Sequence, residues 1–406
     1  MLTPEQKKSD CCGCMACSYA CPKSAITMAA DETGFVYPEI DPRTCINCGI
    51  CRKVCPLGEN LTGTEAVPDI YAVQNHQKDV VLNSSSGGMF SLLADWILAQ
   101  DGVIYGVAFD DTFQVRHERA DTHKSAAAFR TSKYVQSDPS RIYENICQDL
   151  SQGLTVLVTG TPCQIAGVNS FLTQRHANTS RYYTCDNICH GVPSPGVWTD
   201  YLNILKENYF SQEEQITSIN MRSKRLSWKK HTMDLETTSG SREELMKEFS
   251  FDDIYHSNYP VRPSCANCHF TSFKRPSDFT LGDFWNVDSA GIKFDVTGGV
   301  NEVLVNTEKG KALFARLKEK AAYQPVSKAA GWQPHLEYSA KAPGNRDAFW
   351  EEYNASAALA DKEAVLRKYM KGSTLTRIIR KVNPILQKTG LYSIAGKLYK
   401  TVFVKK

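Results

Sequence analysis

The sequence has no uninterrupted apolar run of about 18 residues, the length that a helix needs to span a bilayer. Its opening stretch, MLTPEQKKSD, contains no apolar core of a signal peptide. Neither sign of charge is in large excess, since 47 Lys and Arg stand against 44 Asp and Glu. We therefore expect a cytoplasmic protein, and the composition favours neither a nucleic-acid binder nor a disordered chain.

Cysteine, in contrast, is abundant. The 406 residues include 15 cysteines, and five of them fall in the stretch DCCGCMACSYACP that begins at Asp10. In a reducing compartment, such clustered cysteines bind metal or carry out redox chemistry more often than they form disulfides. The length allows two or three domains with a buried core, so the cluster is one part of a larger protein.

Eight cysteines form two copies of the pattern C-x2-C-x2-C-x3-C-P, the first starting at Cys11 and the second at Cys45. The pattern is typical of ferredoxins with two [4Fe–4S] clusters, in which three cysteines of one copy and the fourth of the other hold each cluster. A zinc site is the alternative, although zinc sites usually pair two short steps across a longer gap. Cys12 belongs to neither set. The predicted ligands are Cys11, Cys14, Cys17 and Cys55 for one cluster, and Cys45, Cys48, Cys51 and Cys21 for the other.

After a polar connector, the chain alternates between strand and helix patterns. DIYAVQNH, GVIYGVAFD and LTVLVTGTP predict strands, whereas GGMFSLLADWILAQ and CQIAGVNSFLTQ predict helices. We therefore predict an α+β protein with a ferredoxin-like domain at 1–60, followed by a mixed α/β body. The body is expected in two parts, 69–150 and 151–345, with a C-terminal helical extension at 346–406.

Three segments of the body have the composition of ligand-binding loops. NSSSGGMF places hydroxyls and glycines before a helix, where free backbone N–H groups receive a phosphate, or where they form an ordinary helix cap. RTSKYVQSD suits a flavin or nucleotide but equally a solvated turn. VTGTPCQIAG places Cys163 at the start of a helix, where a thiolate is stabilised; a small buried residue is the alternative.

Three further cysteines give Cys163 a second context. CDNICHGVPSP contributes Cys189, and RPSCANCHF contributes Cys265 and Cys268 in another C-x2-C step. These four thiols are predicted to hold either a third [4Fe–4S] cluster or a structural zinc ion. Their spacing is too irregular to choose between the two.

The two cysteine repeats, followed in order by SSSGG, SKYVQS, GTPCQIAG, CHGVPSP, RPSCANCHF and DFTLGDFW, resemble the coenzyme F420 hydrogenase/dehydrogenase beta-subunit family. The resemblance runs from Cys11 to about Gly310. It implies an iron–sulfur flavoprotein whose FAD exchanges single electrons with clusters and a hydride with an organic acceptor. It also implies that the second cysteine set holds the cluster nearest the flavin. The implied FAD contacts are Ser86, Gly87, Gly88, Lys133, Tyr134, Gln136, Ser137, Thr161 and Gln164.

General acid–base residues are secondary in such chemistry, because the flavin itself converts between one- and two-electron transfer. His190, Lys133 and Asp283 are the candidates for protonating or orienting the flavin. A packing role is the alternative for His190, and a turn cap is the alternative for Asp283.

The expected partners are a ferredoxin or another redox protein as electron donor and a small-molecule hydride acceptor. Nucleic acid is not expected, because positive charge is concentrated in the C-terminal tail rather than among the cysteines. That tail, KGSTLTRIIRKVNPILQKTGLYSIAGKLYKTVFVKK, has no acidic residue and suits an anionic membrane surface or a partner, with a packed helical extension as the alternative. A non-catalytic electron-transfer subunit linking partner redox proteins is the alternative function.

Overall fold

The computed structural model describes residues 8–57 and 67–370. The strands are β1 (Ile26–Ala30), β2 (Val36–Ile40), β3 (Asp69–Asn75), β4 (Val103–Phe109), β5 (Val115–Ala120), β6 (Val156–Gly160), β7 (Tyr182–Asn187), β8 (Ile216–Ser223), β9 (Thr232–Thr237), β10 (Gly240–Ser241), β11 (Phe279–Asp283), β12 (Asn301–Val305) and β13 (Ala321–Pro325). The α-helices are α1 (Ala16–Tyr19), α2 (Ile50–Lys53), α3 (Lys78–Leu82), α4 (Met89–Leu98), α5 (His123–Ala126), α6 (Tyr143–Ser151), α7 (Pro162–Gln174), α8 (Pro195–Asn208), α9 (Glu243–Glu248), α10 (Phe251–His256), α11 (Glu308–Leu317), α12 (Arg346–Ala355) and α13 (Leu359–Met370).

An eight-stranded mixed sheet forms the centre of the body, with strand order β13-β3-β12-β11-β7-β6-β4-β5. Strands β4, β6, β7 and β11 run parallel to one another. The remaining pairs in this sheet are antiparallel. The carboxyl ends of the four parallel strands therefore meet at one edge, which is where open α/β sheets bind ligands.

Both faces of this sheet are covered by helices. Side chains alternate along β6, so Val156 and Val158 pack with α6 and α7, whereas Leu157 packs with α4 and α11 on the other face. All three side chains are essentially inaccessible to solvent. This explains why LTVLVTGTP is apolar at consecutive positions, as expected for a strand buried on both faces.

Helix α7 begins where the sequence supplies a complete start signal. Thr161 is the N-cap, Pro162 occupies the first turn, and Thr161 and Gln164 form a capping box. The Gln164 carboxamide oxygen accepts from the Thr161 backbone N–H at 3.2 Å. This start fixes Cys163 in the first turn of the helix, directly after the carboxyl end of β6.

The N-terminal module contains the β1–β2 hairpin and the short helices α1 and α2. Its first cysteine loop packs against α6 and α7, where Cys14 and Ala16 join Tyr143 and Phe171 in one apolar cluster. Gly167 of α7 makes this close approach possible, because a Cβ atom there would lie 2.8 Å from the Cβ of Cys14. The module is thus docked on the body by its first half.

A second apolar cluster joins α8, the small β10-β9-β8 sheet and the last two helices. Trp198, Leu235, Trp350 and Leu366 are all buried in it. The described part of the predicted C-terminal extension is thus helical and packed. The basic tail 371–406, with its expected membrane or partner contact, lies outside the described residues.

The predicted α+β fold is confirmed: a ferredoxin-type module precedes a mixed α/β body. Each of the five strand and helix patterns quoted above corresponds to an element of the predicted type. The segments 69–150 and 151–345 contribute strands to the same sheet. Among the described helices, none combines the length and apolar composition that crossing a bilayer requires.

Candidate electron-transfer site

The first cysteine set of the module lies at its contact with the body. Cys17 is within electrostatic range of Cys11 and Cys55, and Cys14 is within range of Cys17 and Cys55. Burial, together with the neighbouring Cys11 and Cys55 thiols, raises the pKa of Cys17 to about 12. The chain therefore brings together the four cysteines predicted for one cluster, including the one that comes from the second repeat. Their ligand roles remain a prediction.

The second set of the module lies on the outer side. Cys48 is exposed, and Cys21, Cys45 and Cys51 are half-buried. The Cys21 sulfur accepts the backbone N–H of Ala25 at 3.3 Å. Hydrogen bonds of this kind to ligand sulfurs are one of the means by which proteins set cluster potentials.

The cysteines of the body also converge, although they come from three loops. Cys163 follows β6 and Cys189 follows β7, at the carboxyl edge of the sheet. Cys265 and Cys268 lie in the loop that precedes β11. Cys189 is within electrostatic range of the other three. The structure thus brings the predicted second set together.

The side chains of this set are chemically suited to an iron–sulfur cluster or zinc, because all four donors are thiols and all are at least half-buried. Burial and the adjacent Cys163 thiol raise the pKa of Cys265 to about 12. Within residues 8–57 and 67–370, no group of three or more His, Cys, Asp or Glu side chains is arranged to hold a metal ion. None of the 15 cysteines, all of which lie in those ranges, forms a disulfide.

Cys12 lies between the two regions. Its thiol hydrogen-bonds with the thiols of both Cys14 and Cys163. Cys14 belongs to the first set of the module and Cys163 to the set in the body. The two candidate clusters nearest each other are therefore linked through directly contacting side chains.

Arg262 and Gln136 fix the geometry of this junction. The Arg262 guanidinium donates to the backbone oxygens of Cys11 at 2.7 Å and Val36 at 2.9 Å, and to the Gln136 side-chain oxygen at 2.9 Å. Gln136 in turn donates its side-chain N–H to the backbone oxygen of Cys12 at 3.0 Å. Arg262 is 1% exposed. Gln136, implied as an FAD contact, is thus placed at the contact between module and body.

Three other implied FAD contacts form a buried network behind the second cysteine set. The Gln164 amide donates to the Ser137 hydroxyl at 3.0 Å, and its carbonyl oxygen accepts from the Thr161 hydroxyl at 2.9 Å. The Thr161 hydroxyl also hydrogen-bonds with the Cys163 sulfur at 3.2 Å. These side chains orient the start of α7 and hence Cys163.

The remaining implied FAD contacts lie together at a different place. Ser86 donates its hydroxyl to the backbone of Val300, and Gly87 lies so close to the sheet that a Cβ atom would be 2.3 Å from the oxygen of Val73. Gly88 follows with φ +81° and leads into α4. The loop thus aims its backbone at the start of a ten-residue helix, where anions are favoured.

Lys224 lies against this loop. Its ammonium donates to the backbone oxygens of Val81 at 2.6 Å, Gly298 at 2.8 Å and Ser86. Burial lowers the pKa of Lys224 to about 8. A cation and a helix start therefore occur side by side.

Tyr134 and Asp283 lie in one cluster with two residues of the basic segment 219–230. Arg222 forms an ion pair with Asp283, and Trp228 donates its indole N–H to Asp283 at 3.1 Å. Burial raises the pKa of Tyr134 to about 12, with the Arg222 charge acting in the opposite direction. Asp283 is thus held as a charged partner of Arg222.

The other two candidate acid–base residues are also held by neighbours. Lys133 donates to the backbone oxygen of Ala128, and burial lowers its pKa to about 7. His190 hydrogen-bonds with His335 and with Asn258, both at 2.6 Å, and burial lowers its pKa to about 3. His190 is therefore neutral at pH 7. The roles of Lys133, His190 and Asp283 in catalysis remain predictions.

A pair of stacked tyrosines connects the second cysteine set with the Tyr134 cluster. The rings of Tyr134 and Tyr255 stack at 4.8 Å, and Tyr255 is within electrostatic range of Cys189 and Cys265. Its ring also contacts that of His190 at 5.4 Å. The predicted flavin residues and the second cysteine set therefore share a continuous aromatic contact.

Sequence reasoning did not identify Arg262 or Lys224. Arg262 is the charged residue of RPSCANCHF, and a cation beside a cysteine pair was an available signal. Lys224 lies in the segment INMRSKRLSWKK, for which a solvated charged strand is the commoner interpretation. Arg222 and Trp228 of the same segment are 8% and 6% exposed, so that interpretation is wrong for them.

Comparison with known proteins identifies two regions. Residues 153–328 match the protein-family model for the C terminus of the beta subunit of coenzyme F420 hydrogenase/dehydrogenase, and residues 10–58 match that of the 4Fe-4S dicluster domain. A curated relative is a "Ferredoxin-like protein in nif region" of Rhizobium leguminosarum bv. trifolii. It is 38% identical over 55 residues, which cover 12% of this chain and 78% of the relative.

A similar solved structure is described as the F420-reducing [NiFe] hydrogenase complex from Methanosarcina barkeri, studied by xenon derivatization. The match has 14% identity and a TM-score of 0.42, and it covers 74% of this chain and 96% of that one. The two sequence matches follow one another along the chain in the order that the motifs predict. The chain belongs to the coenzyme F420 hydrogenase/dehydrogenase beta-subunit family and carries a 4Fe-4S dicluster domain.

Proposed function

We propose that this chain is a cytoplasmic iron–sulfur flavoprotein oxidoreductase that transfers electrons between its clusters and FAD, and from FAD to an organic hydride acceptor. The observation that carries the proposal is the contact between Cys12 and Cys163, which joins the dicluster module to the second cysteine set. An electron path through single-electron centres needs such short separations. The acceptor that the family suggests is a deazaflavin of the F420 type.

In this proposal, the second set would hold a third [4Fe–4S] cluster through Cys163, Cys189, Cys265 and Cys268. FAD would lie along the loop of Ser86 to Gly88, where Lys224 and the start of α4 suit its phosphates. The stacked Tyr134 and Tyr255 lie between the two groups. When bound, the clusters supply single electrons and the flavin exchanges pairs of them for a hydride.

Two residues of the chain would act on the flavin end of this path. The Arg222–Asp283 pair places a fixed cation and a fixed anion at the Tyr134 cluster, and both are largely withdrawn from water. Such pre-oriented charges stabilise developing charge more effectively than mobile water does. Lys133, with its pKa near 7, is suited to hold or release a proton there.

The first test is the content of iron, acid-labile sulfide and flavin per chain, measured on protein purified without oxygen. We expect about twelve irons, as three [4Fe–4S] clusters require, and one FAD. Oxidation of the dithionite-reduced protein by F420 would then be followed by absorbance. About eight irons and no flavin would contradict the proposal and favour the alternative, a non-catalytic subunit that links redox partners.

Electrons would enter through the outer side of the module. This outer face consists of Lys23, Ile46, Cys48, Arg52 and Lys53. Ile46 is 57% exposed and all the other members are exposed as well. An apolar centre surrounded by cations suits a small acidic electron-carrier protein, because complementary charge steers weak redox encounters.

Reversing two charges of this face should slow that encounter. In the Lys23→Glu/Lys53→Glu double variant, we expect the association rate with an acidic ferredoxin to fall about tenfold at low ionic strength. The difference should shrink as salt screens the charges. Stopped-flow reduction of the clusters measures both. Lys206→Glu, an exposed site on α8, is the control, and an equal loss in that variant would rule out this face.

A further inference from the structure

Arg262 differs from the other buried arginines in its partners. Arg275 is paired with Asp186 at 2.9 Å, and Arg222 is paired with Asp283. Arg262 donates only to neutral oxygens, those of Cys11, Val36 and Gln136. Within the described ranges, it makes no ion pair.

An unpaired guanidinium in the interior is costly, because burial removes the water that solvates its charge. The rings of Phe35 and Tyr37 offset part of that cost, since the guanidinium carbon lies 5.1 Å and 4.5 Å from their centres. An aromatic face is nevertheless a weak counter-charge. The site therefore lacks an anion.

The position of Arg262 indicates what that anion is. Its side chain contacts the backbone of Cys11, and both Cys163 and Cys265 are within its electrostatic range. A Cβ atom at Gly13 would lie 2.7 Å from the guanidinium, so the first cysteine loop wraps directly around it. The cation thus lies between the first set of the module and the set in the body.

We propose that Arg262 is the fixed counter-charge of the junction, and that it sets the reduction potentials of the clusters on either side. A four-iron core bound by four thiolates is an anion that gains one more negative charge on reduction. A buried cation beside it favours the reduced form and raises its potential. For the module cluster, this inference rests only on the dicluster domain; for the other cluster, it also rests on the proposed function.

The test uses the full chain with its clusters and measures reduction potentials by EPR-monitored redox titration. Arg262→Gln removes the charge, whereas Arg262→Lys keeps it and loses the three-way hydrogen bonding. We expect Arg262→Gln to reduce the equilibrium constant for reduction of the adjacent clusters about tenfold, equal to about 59 mV for a one-electron couple. Arg262→Lys should retain most of the original potential.

A second pair of variants leaves Arg262 in place. Gln136→Glu puts a carboxylate where the Arg262 side chain already finds an acceptor at 2.9 Å, and so supplies the missing acid. It should lower the potentials in the same direction as Arg262→Gln. Gln136→Leu removes the contact without adding charge and should leave them nearly unchanged. This pair keeps the test valid where Arg262→Gln fails to assemble its clusters.

Equal shifts in Arg262→Gln and Arg262→Lys, or in Gln136→Glu and Gln136→Leu, would overturn the inference, because packing rather than charge would then set the potential. Failure of the proposed function has a different signature. A preparation with about eight irons would remove the third cluster, but the module cluster at Cys11 would still respond to the charge of Arg262.

Discussion

Replacing Cys163 with alanine should remove about four irons per chain while leaving the two clusters of the module in place. Cys163 is the member of the second set that touches the module, through Cys12. Loss of one ligand from a four-ligand site should reduce affinity for its cluster at least as much as loss of a supporting residue, about 100-fold. Electron transfer from the module to the flavin should fall by a similar factor.

The measurement combines iron analysis with the rate at which flavin absorbance bleaches after the module is reduced. Cys185→Ala is the matched control, because Cys185 lies on β7, is 4% exposed and is packed in the apolar core rather than in the set. Its loss should lower stability without lowering the iron content. Cys12→Ala should also keep all the iron, since Cys12 is predicted not to be a ligand. A loss of iron in Cys12→Ala with none in Cys163→Ala would reverse the assignment.

The clusters of the module could be predicted from sequence because their ligands are local. Cysteines at steps of three residues, followed by Cys-Pro, define both sets within residues 10–58, and the family match covers the same residues. The strands and helices were equally accessible, since period-two and helical patterns depend on nearest neighbours. The predicted fold is therefore correct at the level of elements and of domain order.

The second cysteine set depends on contacts that spacing does not encode. About one hundred residues separate Cys163 from Cys268, and they meet because β6 and β7 are parallel neighbours while the loop before β11 folds back. Only the family resemblance indicated that these cysteines belong together. Parallel pairing places successive strand ends at one edge, but the order of strands is not readable from the strands themselves.

The implied flavin contacts divide for a related reason. Gln136 and Lys133 are three residues apart in one loop, yet Gln136 binds Arg262 at the junction and Lys133 turns toward Ala128. Direction within an irregular loop is set by tertiary contacts rather than by composition. Basic residues pose the same problem: Arg222 and Lys224 are polar in sequence but lie withdrawn from water because Asp283 and backbone oxygens receive them.

The buried Arg275–Asp186 pair is where we expect the largest loss of stability from one substitution. The side chains are 1% and 0% exposed. Arg275 also donates to the backbone oxygens of Phe270 at 2.8 Å and Asn187 at 2.9 Å. It therefore ties the loop that carries Cys268 to the end of β7, two residues before Cys189.

Arg275→Met should cost about 3–5 kcal/mol, because it leaves a buried carboxylate without its cation. For a chain of this size, we expect the melting temperature to fall by about 10 °C. Burial alone raises the pKa of Asp186, and Arg275 opposes that rise. In the variant, the folded-state pKa should rise further above its unfolded value. The folded state then binds more protons, so the loss should grow as pH increases from about 5 to about 8.

Adding Asp186→Asn to Arg275→Met removes the stranded charge and should restore most of the lost stability and its pH independence. Arg175→Met tests whether any arginine ion pair behaves this way, since Arg175 pairs with Glu144 at 2.6 Å but both side chains are about half exposed. That variant should barely change the melting temperature. If the double variant were as unstable as Arg275→Met, the cost would lie in the hydrogen bonds to Phe270 and Asn187. Arg275 would then act by joining the two cysteine loops rather than by neutralising Asp186.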